Sequence, residues 1–200
     1  LSSGAQLTVS PDGSYTYDPL QLFQSLPDGG SASDALLFQV ADGNGGFAQG
    51  RLTISITGVN DAPTLNAITA ATTENAFVFG DLLTESNADD VDFGDNVTVL
   101  TVEGQNASNN TATIERPGEG RFIAFNSDYS FNPLTDFDRL SVGETEDVSF
   151  EFTVTDTFGG LATSTITITV TGENDGPTAE DFDDATTGCK QHRRHHRCLL

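Results

Sequence analysis

From Arg51 to Thr57 the chain alternates Leu52, Ile54 and Ile56 with Thr53, Ser55 and Thr57, and from Thr165 to Thr171 it alternates Ile166, Ile168 and Val170 with threonines. A period of two in β-branched residues puts one set of side chains on a buried face and the other in water, the pattern of a half-buried strand. Ser149–Thr155 repeats it with Phe150, Phe152 and Val154, and Ala35–Ala41 with Leu36, Phe38 and Val40. Asp42-Gly43-Asn44-Gly45-Gly46 and Asp156-Thr157-Phe158-Gly159-Gly160 each join two such runs, so each is expected to be a hairpin turn. A further hairpin is expected over Gln6–Tyr17 around Pro11-Asp12-Gly13, a strand over Val97–Val102 and a weaker one over Ala76–Leu83. No long window carries a helical stripe. The fold class is therefore all-β, with about seven short strands per unit closing into a two-sheet sandwich.

The pattern repeats. Asp61 and Asp175 stand 114 residues apart, and at that spacing Tyr15 meets Tyr129, Pro19 meets Pro133, Phe23 meets Phe137 and Leu26 meets Leu140. Phe38 then meets Phe152, Val40 meets Val154, Asp42 meets Asp156, and Gly45-Gly46 meets Gly159-Gly160. An ungapped self-match of this length marks tandem modules. Each copy ends on a related segment, Gly58-Val-Asn60-Asp61-Ala-Pro63-Thr64 and Gly172-Glu-Asn174-Asp175-Gly-Pro177-Thr178. Pro cannot donate to a strand ladder and pushes its predecessor towards an extended conformation, so each segment reads as a taut connector that displays side-chain oxygens.

The register also assigns boundaries. Residues 1–61 read as the C-terminal half of one module, because the counterpart of Glu74 would precede the first residue, and 62–175 read as a complete module. Residues 176–187 start a third, in which Ala185-Thr186-Thr187 repeats Ala71-Thr72-Thr73. Residues 188–200 match nothing earlier and read as an unrelated basic tail, expected to be disordered. That tail holds Cys189, His192, His195, His196 and Cys198, nominal zinc ligands without a framing turn, and a Cys189–Cys198 disulfide is open to it in an oxidising medium.

Charge narrows the function. Four of the eight basic residues lie in the tail, leaving four arginines against all 30 acids, a formal −26 before Cys189. Nucleic acid and anionic membrane surfaces would be repelled by such a body. An acidic surface also serves plain solubility. Apolar residues at 36 %, with 14 Phe, are enough for a core. No apolar run is long enough to span a bilayer. The body has no Cys, Lys or His, which removes the usual general bases and every Cys or Lys nucleophile, so catalysis is not expected.

The densest acidic stretch is Asn87-Ala88-Asp89-Asp90-Val91-Asp92-Phe93-Gly94-Asp95-Asn96. If it is extended, Asp90 and Asp92 face the same way, and two such charges at 4 Å repel by about 1 kcal/mol in water and about 4 at an effective dielectric of 20. A cation would resolve that conflict. Oxygen-only donors favour Ca2+, which takes six to eight of them, over zinc. Asp89 and Asp95 rank second as ligands, since loop acids are commonly solvated. Asp42 and Asp156 have an equal reading as residues that only shape hairpins, and Asn-Asp-Pro one as a plain turn. Tyr15, Tyr129, Phe23 and Phe137 are expected as core aromatics.

Over residues 1–187 these motifs resemble the VCBS and cadherin-like repeats of large, RTX-type bacterial surface adhesins. Asn60-Asp61-Ala-Pro63 is similar to the cadherin linker, Asp90 and Asp92 stand where the cadherin Asp-X-Asp pair would, Asp156 resembles the late-strand Asp, and Glu74 takes the place of the early Glu ligand. The resemblance implies tandem immunoglobulin/cadherin-like β-sandwich modules stiffened by calcium at their joints. The upper joint would use Asn60, Asp61, Asp90, Asp92 and Asp156, and the lower one Glu74, Glu144, Asn174 and Asp175. The implied partners are neighbouring modules of the same chain, with surface or matrix ligands left to other parts of the protein. The implied setting is extracellular, on a bacterial surface, in cell adhesion or biofilm. The alternative is a carbohydrate- or surface-binding β-sandwich, against which stand the absence of Trp and a total of three Tyr.

Overall fold

The computed structural model describes residues 1–176 except Ser2 and Pro11. The expected third repeat from 177 on and the Cys/His tail lie outside the described residues. Four strands come first: β1 (Gln6–Val9), β2 (Tyr15–Asp18), β3 (Ser31–Ala41) and β4 (Phe47–Thr57). They pair as two antiparallel hairpins, β1 with β2 and β3 with β4. The chain reverses at Asp12-Gly13 and at 42–46, where turns are expected.

The remaining strands are β5 (Ile68–Thr73), β6 (Val78–Asp81), β7 (Thr98–Val102), β8 (Gln105–Asn106), β9 (Thr111–Glu115), β10 (Arg121–Phe125), β11 (Asp128–Asn132), β12 (Thr145–Thr155) and β13 (Leu161–Thr171). They form a four-stranded sheet in the order β6-β11-β10-β9 and a five-stranded sheet in the order β5-β13-β12-β7-β8. All pairings are antiparallel except β5 with β13, which is parallel and lets the chain enter and leave the sandwich at opposite ends of one sheet edge. The two sheets meet through aromatic rings. Phe122 on β10 stacks on Phe150 of β12 at 4.5 Å between centroids, and Phe131 on β11 lies 6.0 Å from the same ring. Ile166, Ile168 and Val170, the apolar members of the Thr165–Thr171 alternation, are fully buried beside them. Burial of a large apolar side chain contributes about 1.5–3 kcal/mol, so this cluster dominates the stability of the sandwich.

Equivalent residues in the two repeats meet different surroundings. Tyr129, Phe152 and Val154 are 4 %, 0 % and 0 % exposed, whereas Tyr15, Phe38 and Val40 are 52 %, 45 % and 55 % exposed. The expectation of two core tyrosines therefore holds for Tyr129 and fails for Tyr15. The β1–β2 and β3–β4 hairpins are separate two-stranded sheets, and a hollow of about 540 Å³ is lined by Leu7, Val9 and Tyr15 of the first and by Leu36, Phe38, Val40 and Leu52 of the second, in place of a packed core.

Two local expectations need correction. Ala76–Leu83 is not one strand: β6 ends at Asp81 and a short helix, α1 (Leu82–Ser86), follows. The Asp81 carboxylate accepts from Thr84 N at 2.7 Å and so caps the helix, while Leu82 is drawn into the core. A single turn is too short to show as a stripe in the sequence. The Asp90–Asp92 segment is also not extended but bends, because the Asp90 carboxylate accepts from Asp92 N at 2.8 Å and Gly94 adopts a left-handed φ of +91°. Such an Asx turn is what a short carboxylate makes when its own backbone is near.

Candidate metal centre

Three separate segments converge at the end of the sandwich where β12 turns into β13. The first is the connector after β4. Gly58 opens it because a Cβ there would lie 2.3 Å from Pro27 O and 2.5 Å from Leu26 O, and Gly172 is held against Ser141 O in the same way. The connector then pairs with the acidic loop by a short bridge between Thr64 and Asp89.

The second segment is the β12–β13 turn. Asp156 Oδ1 accepts from Phe158 N and Gly160 N, both at 2.8 Å, which closes the turn, and Oδ2 accepts from Asn60 Nδ2 at 2.9 Å. Both readings offered for Asp156 thus meet in one residue: it shapes the hairpin with one oxygen and turns the other towards the connector. Burial acts to raise its carboxyl, but the hydrogen bonds from Asn60, Gly160 and Phe158 outweigh it and hold the group below its ordinary 3.8.

The acidic loop is the third. Asp92 is 3 % exposed; its Oδ2 accepts from Asp61 N at 2.8 Å, which ties loop to connector. Asp61 therefore enters the site through its backbone amide. Asp90, Asp95 and Asp156 bring one carboxylate oxygen each to within 4.8 Å of one another. Asp95 is pushed above the ordinary carboxylate range, by burial first and then by the charges of Asp90, Asp156, Asp92 and Asp28. Position in the sequence had ranked it with the solvated loop acids. The signal available was Gly94, whose left-handed turn folds the next residue back onto Asp90.

Four oxygens of this site are buried without a hydrogen-bond partner: Asn60 Oδ1, Asp90 Oδ2, Asp92 Oδ1 and Asp95 Oδ2. Leaving one buried acceptor unpaired costs on the order of 1–3 kcal/mol, more when it is charged, and Asp90 and Asp95, which hold two of the four, also belong to the carboxylate cluster with Asp156, a grouping fitted to a cation. The donors are all carboxylate or amide oxygens, which suits a hard ion.

The opposite end of the sandwich is less complete. Glu74 is 1 % exposed, with Oε1 accepting from Glu173 N at 2.7 Å and Oε2 buried without a partner. Asn174 and Asp175 are exposed, with Asn174 Nδ2 bonded to Asp175 O at 3.2 Å. Glu144 accepts from Ser141 N at 2.9 Å and closes its own turn. Among the described residues, no group of three metal-ligating acids forms there.

The family profile described as the bacterial cadherin-like domain matches residues 60–172. A search of curated proteins found no match. Among solved structures, human mucin-like protocadherin EC1-2 is similar at 18 % identity, covering 85 % of each chain with a TM-score of 0.42. Protocadherin gamma C5 EC1-3 is similar at 15 % identity over 82 % of this chain and 51 % of that one, with a TM-score of 0.40. Cadherin-like domains are extracellular adhesion-type modules, not enzymes, and generally bind calcium. No helix among the described residues is long and apolar enough to cross a membrane. The matched span takes in the Asn60-Asp61 connector, the acidic loop and the whole two-sheet sandwich, more than half of the chain, and the chain belongs to the bacterial cadherin-like domain family.

Proposed function

We propose that this chain is a calcium-stiffened extender of a large bacterial surface adhesin, with Ca2+ held where the connector after β4 meets the next sandwich. The ligands are Asn60, Asp90, Asp92, Asp95 and Asp156, with Asp61 completing the joint, and the neighbouring module is the partner that the ion fixes in place. The observation that carries this reading is the set of four buried, unpartnered oxygens on Asn60, Asp90, Asp92 and Asp95. Bound calcium would neutralise carboxylates that now repel each other, and would tie connector, loop and hairpin into one rigid end. Glu74, with one buried oxygen unpaired beside Glu173, marks the corresponding joint at the far end, where Asn174 and Asp175 would close on the ion together with the following module. Repeated along a tandem array, such joints turn a flexible string into a rod that holds an adhesive region away from the cell. Extracellular modules bind calcium at roughly 10⁻⁴–10⁻³ M, so the array would be stiff outside the cell and slack inside.

Calorimetric titration of the EGTA-stripped chain with CaCl2 tests this. A saturable heat is expected, lost in Asp90→Asn and retained in Asp128→Asn, an exposed acid on β11 outside the cluster. Equal heats in the two variants would reduce the site to general charge screening.

A further inference from the structure

Asparagines of the sandwich differ in what their side chains do. Those of Asn60, Asn75, Asn126 and Asn132 hold the fold, through bonds to Asp156, Glu173, Asn109 N and Leu134 N respectively. Asn96, Asn106 and Asn109 are exposed, and their side-chain amides make no hydrogen bond among the described residues. Each of these three stands two residues before a hydroxyl, in Asn96-Val97-Thr98, Asn106-Ala107-Ser108 and Asn109-Asn110-Thr111. Asn-x-Ser/Thr, with x other than Pro, is the acceptor pattern for an N-linked sugar. None of the remaining asparagines carries it.

The surroundings rank the three. Asn109 and Asn110 lie in the turn between β8 and β9, where Asn109 has a left-handed φ of +54° and its N–H donates to Asn126 Oδ1 at 2.8 Å. Asn109, Asn110 and Thr111 are all exposed, so the whole tripeptide is presented on a surface turn. Asn96 and Thr98 are exposed with Val97 half-buried between them. Asn106 differs. Ala107, the residue after it, is fully buried, donates to Leu100 O at 3.0 Å and accepts from Asn126 N at 2.8 Å. That tripeptide cannot enter an enzyme's groove unless Ala107 first leaves the core. Asn96, Thr98, Ser108 and Asn109 line one open hollow of about 380 Å³, so the two accessible acceptors share a face.

We propose that Asn109 and Asn96 are N-glycosylation sites of the folded module, and that Asn106 is not. The donor is a glycosyl pyrophosphate, carried on a nucleoside or on a lipid. The carboxamide nitrogen attacks the anomeric carbon, and the N–C bond forms as the bond from that carbon to the pyrophosphate oxygen breaks. The pyrophosphate leaves with the electron pair, and the nitrogen gives up one proton to a base of the transferring enzyme. Nothing is oxidised or reduced. A sugar on Asn109 stands between β8 and β9, the outer strands of the two sheets. Outer strands carry unpaired backbone groups that invite pairing with another chain, and a hydrated sugar covers that edge.

Peptide mapping by mass spectrometry, on the chain isolated from the cells that produce it, tests the assignment. Sugar is expected on the peptides holding Asn109 and Asn96, with Asn106 bare. A single sugar would mark a nucleotide donor and a preassembled oligosaccharide a lipid-linked one. A bare Asn109 overturns the proposal. The unmodified chain is also incubated with UDP-glucose and a soluble asparagine glycosyltransferase. In the folded chain Asn109 should be labelled about tenfold faster than Asn106 or more, because Asn106 must wait for local opening. In a short peptide of residues 103–113 the two rates should converge. Thr111→Val should abolish labelling of Asn109 and Thr111→Ser should retain it, both with unchanged melting. Equal rates at Asn106 and Asn109 in the folded chain, or labelling of Asn109 that survives Thr111→Val, would overturn the reading.

Discussion

Replacing Asp92 by Asn separates the metal reading from general acidity. Asp92 is 3 % exposed, with one oxygen on Asp61 N and the other buried without a partner. Asparagine keeps an acceptor for Asp61 N and removes the anionic donor at almost constant volume. If calcium binds only the folded chain with a dissociation constant in the extracellular range, a free concentration ten to a hundred times higher stabilises it by about 1.4–2.7 kcal/mol. For the sandwich spanning residues 60–172, that corresponds to a rise in melting temperature of roughly 5–15 °C. Without metal the sign reverses. Asp95 is held above the usual carboxylate range by burial and by neighbours that include Asp92, so removing that charge should leave melting in EGTA unchanged or raised. Scanning calorimetry of both chains in EGTA and in excess CaCl2 gives all four values. The expected result is a large calcium shift in the parent, little or none in Asp92→Asn, and an apo variant at least as stable as the apo parent. A calcium shift of the same size in both chains, or none in the parent, would refute the reasoning.

Three other outcomes follow from the packing. Phe152→Ala, at a fully buried ring, should cost about 3–5 kcal/mol by denaturant unfolding, whereas Phe38→Ala, at the equivalent repeat position but 45 % exposed, should cost less than half as much. Asp81→Ala should cost about 1–2 kcal/mol through loss of the α1 cap and of the bond from Ser127 Oγ at 2.6 Å. Burial acts to raise the Asp81 carboxyl, but the bonds from Ser127 and Thr84 hold it below 3.8, so its stabilising contribution is present above that pH and lost as pH falls through the lowered value; acid titration of Asp81→Asn should lack this component. Gly172→Ala, which drives a Cβ to 2.4 Å from Ser141 O, should destabilise the sandwich by about 1–3 kcal/mol in thermal melts, since the obstacle is backbone and cannot swing away.

What the sequence determined by itself is the part of the protein governed by short-range rules. Alternation in Arg51–Thr57, Ser149–Thr155 and Thr165–Thr171 specifies strands, because side chains two residues apart share a face whatever the rest of the chain does. The Asp-x-x-x-Gly turns and the Asn-Asp-x-Pro connectors are equally local, and the 114-residue repeat supplied each with a second copy. Tertiary structure decided which copy is buried. Phe38 and Phe152 carry the same pattern, yet Phe152 is packed among the rings of a two-sheet core while Phe38 borders an open hollow, since burial depends on partners remote in sequence. It also decided the membership of the site. Asp95 joined Asp90 and Asp156 through a left-handed turn at Gly94, and Asp61 was drawn in by its amide rather than its carboxylate. Distances between charges on separate segments are set by how loop, connector and hairpin pack, and a linear spacing rule does not contain them.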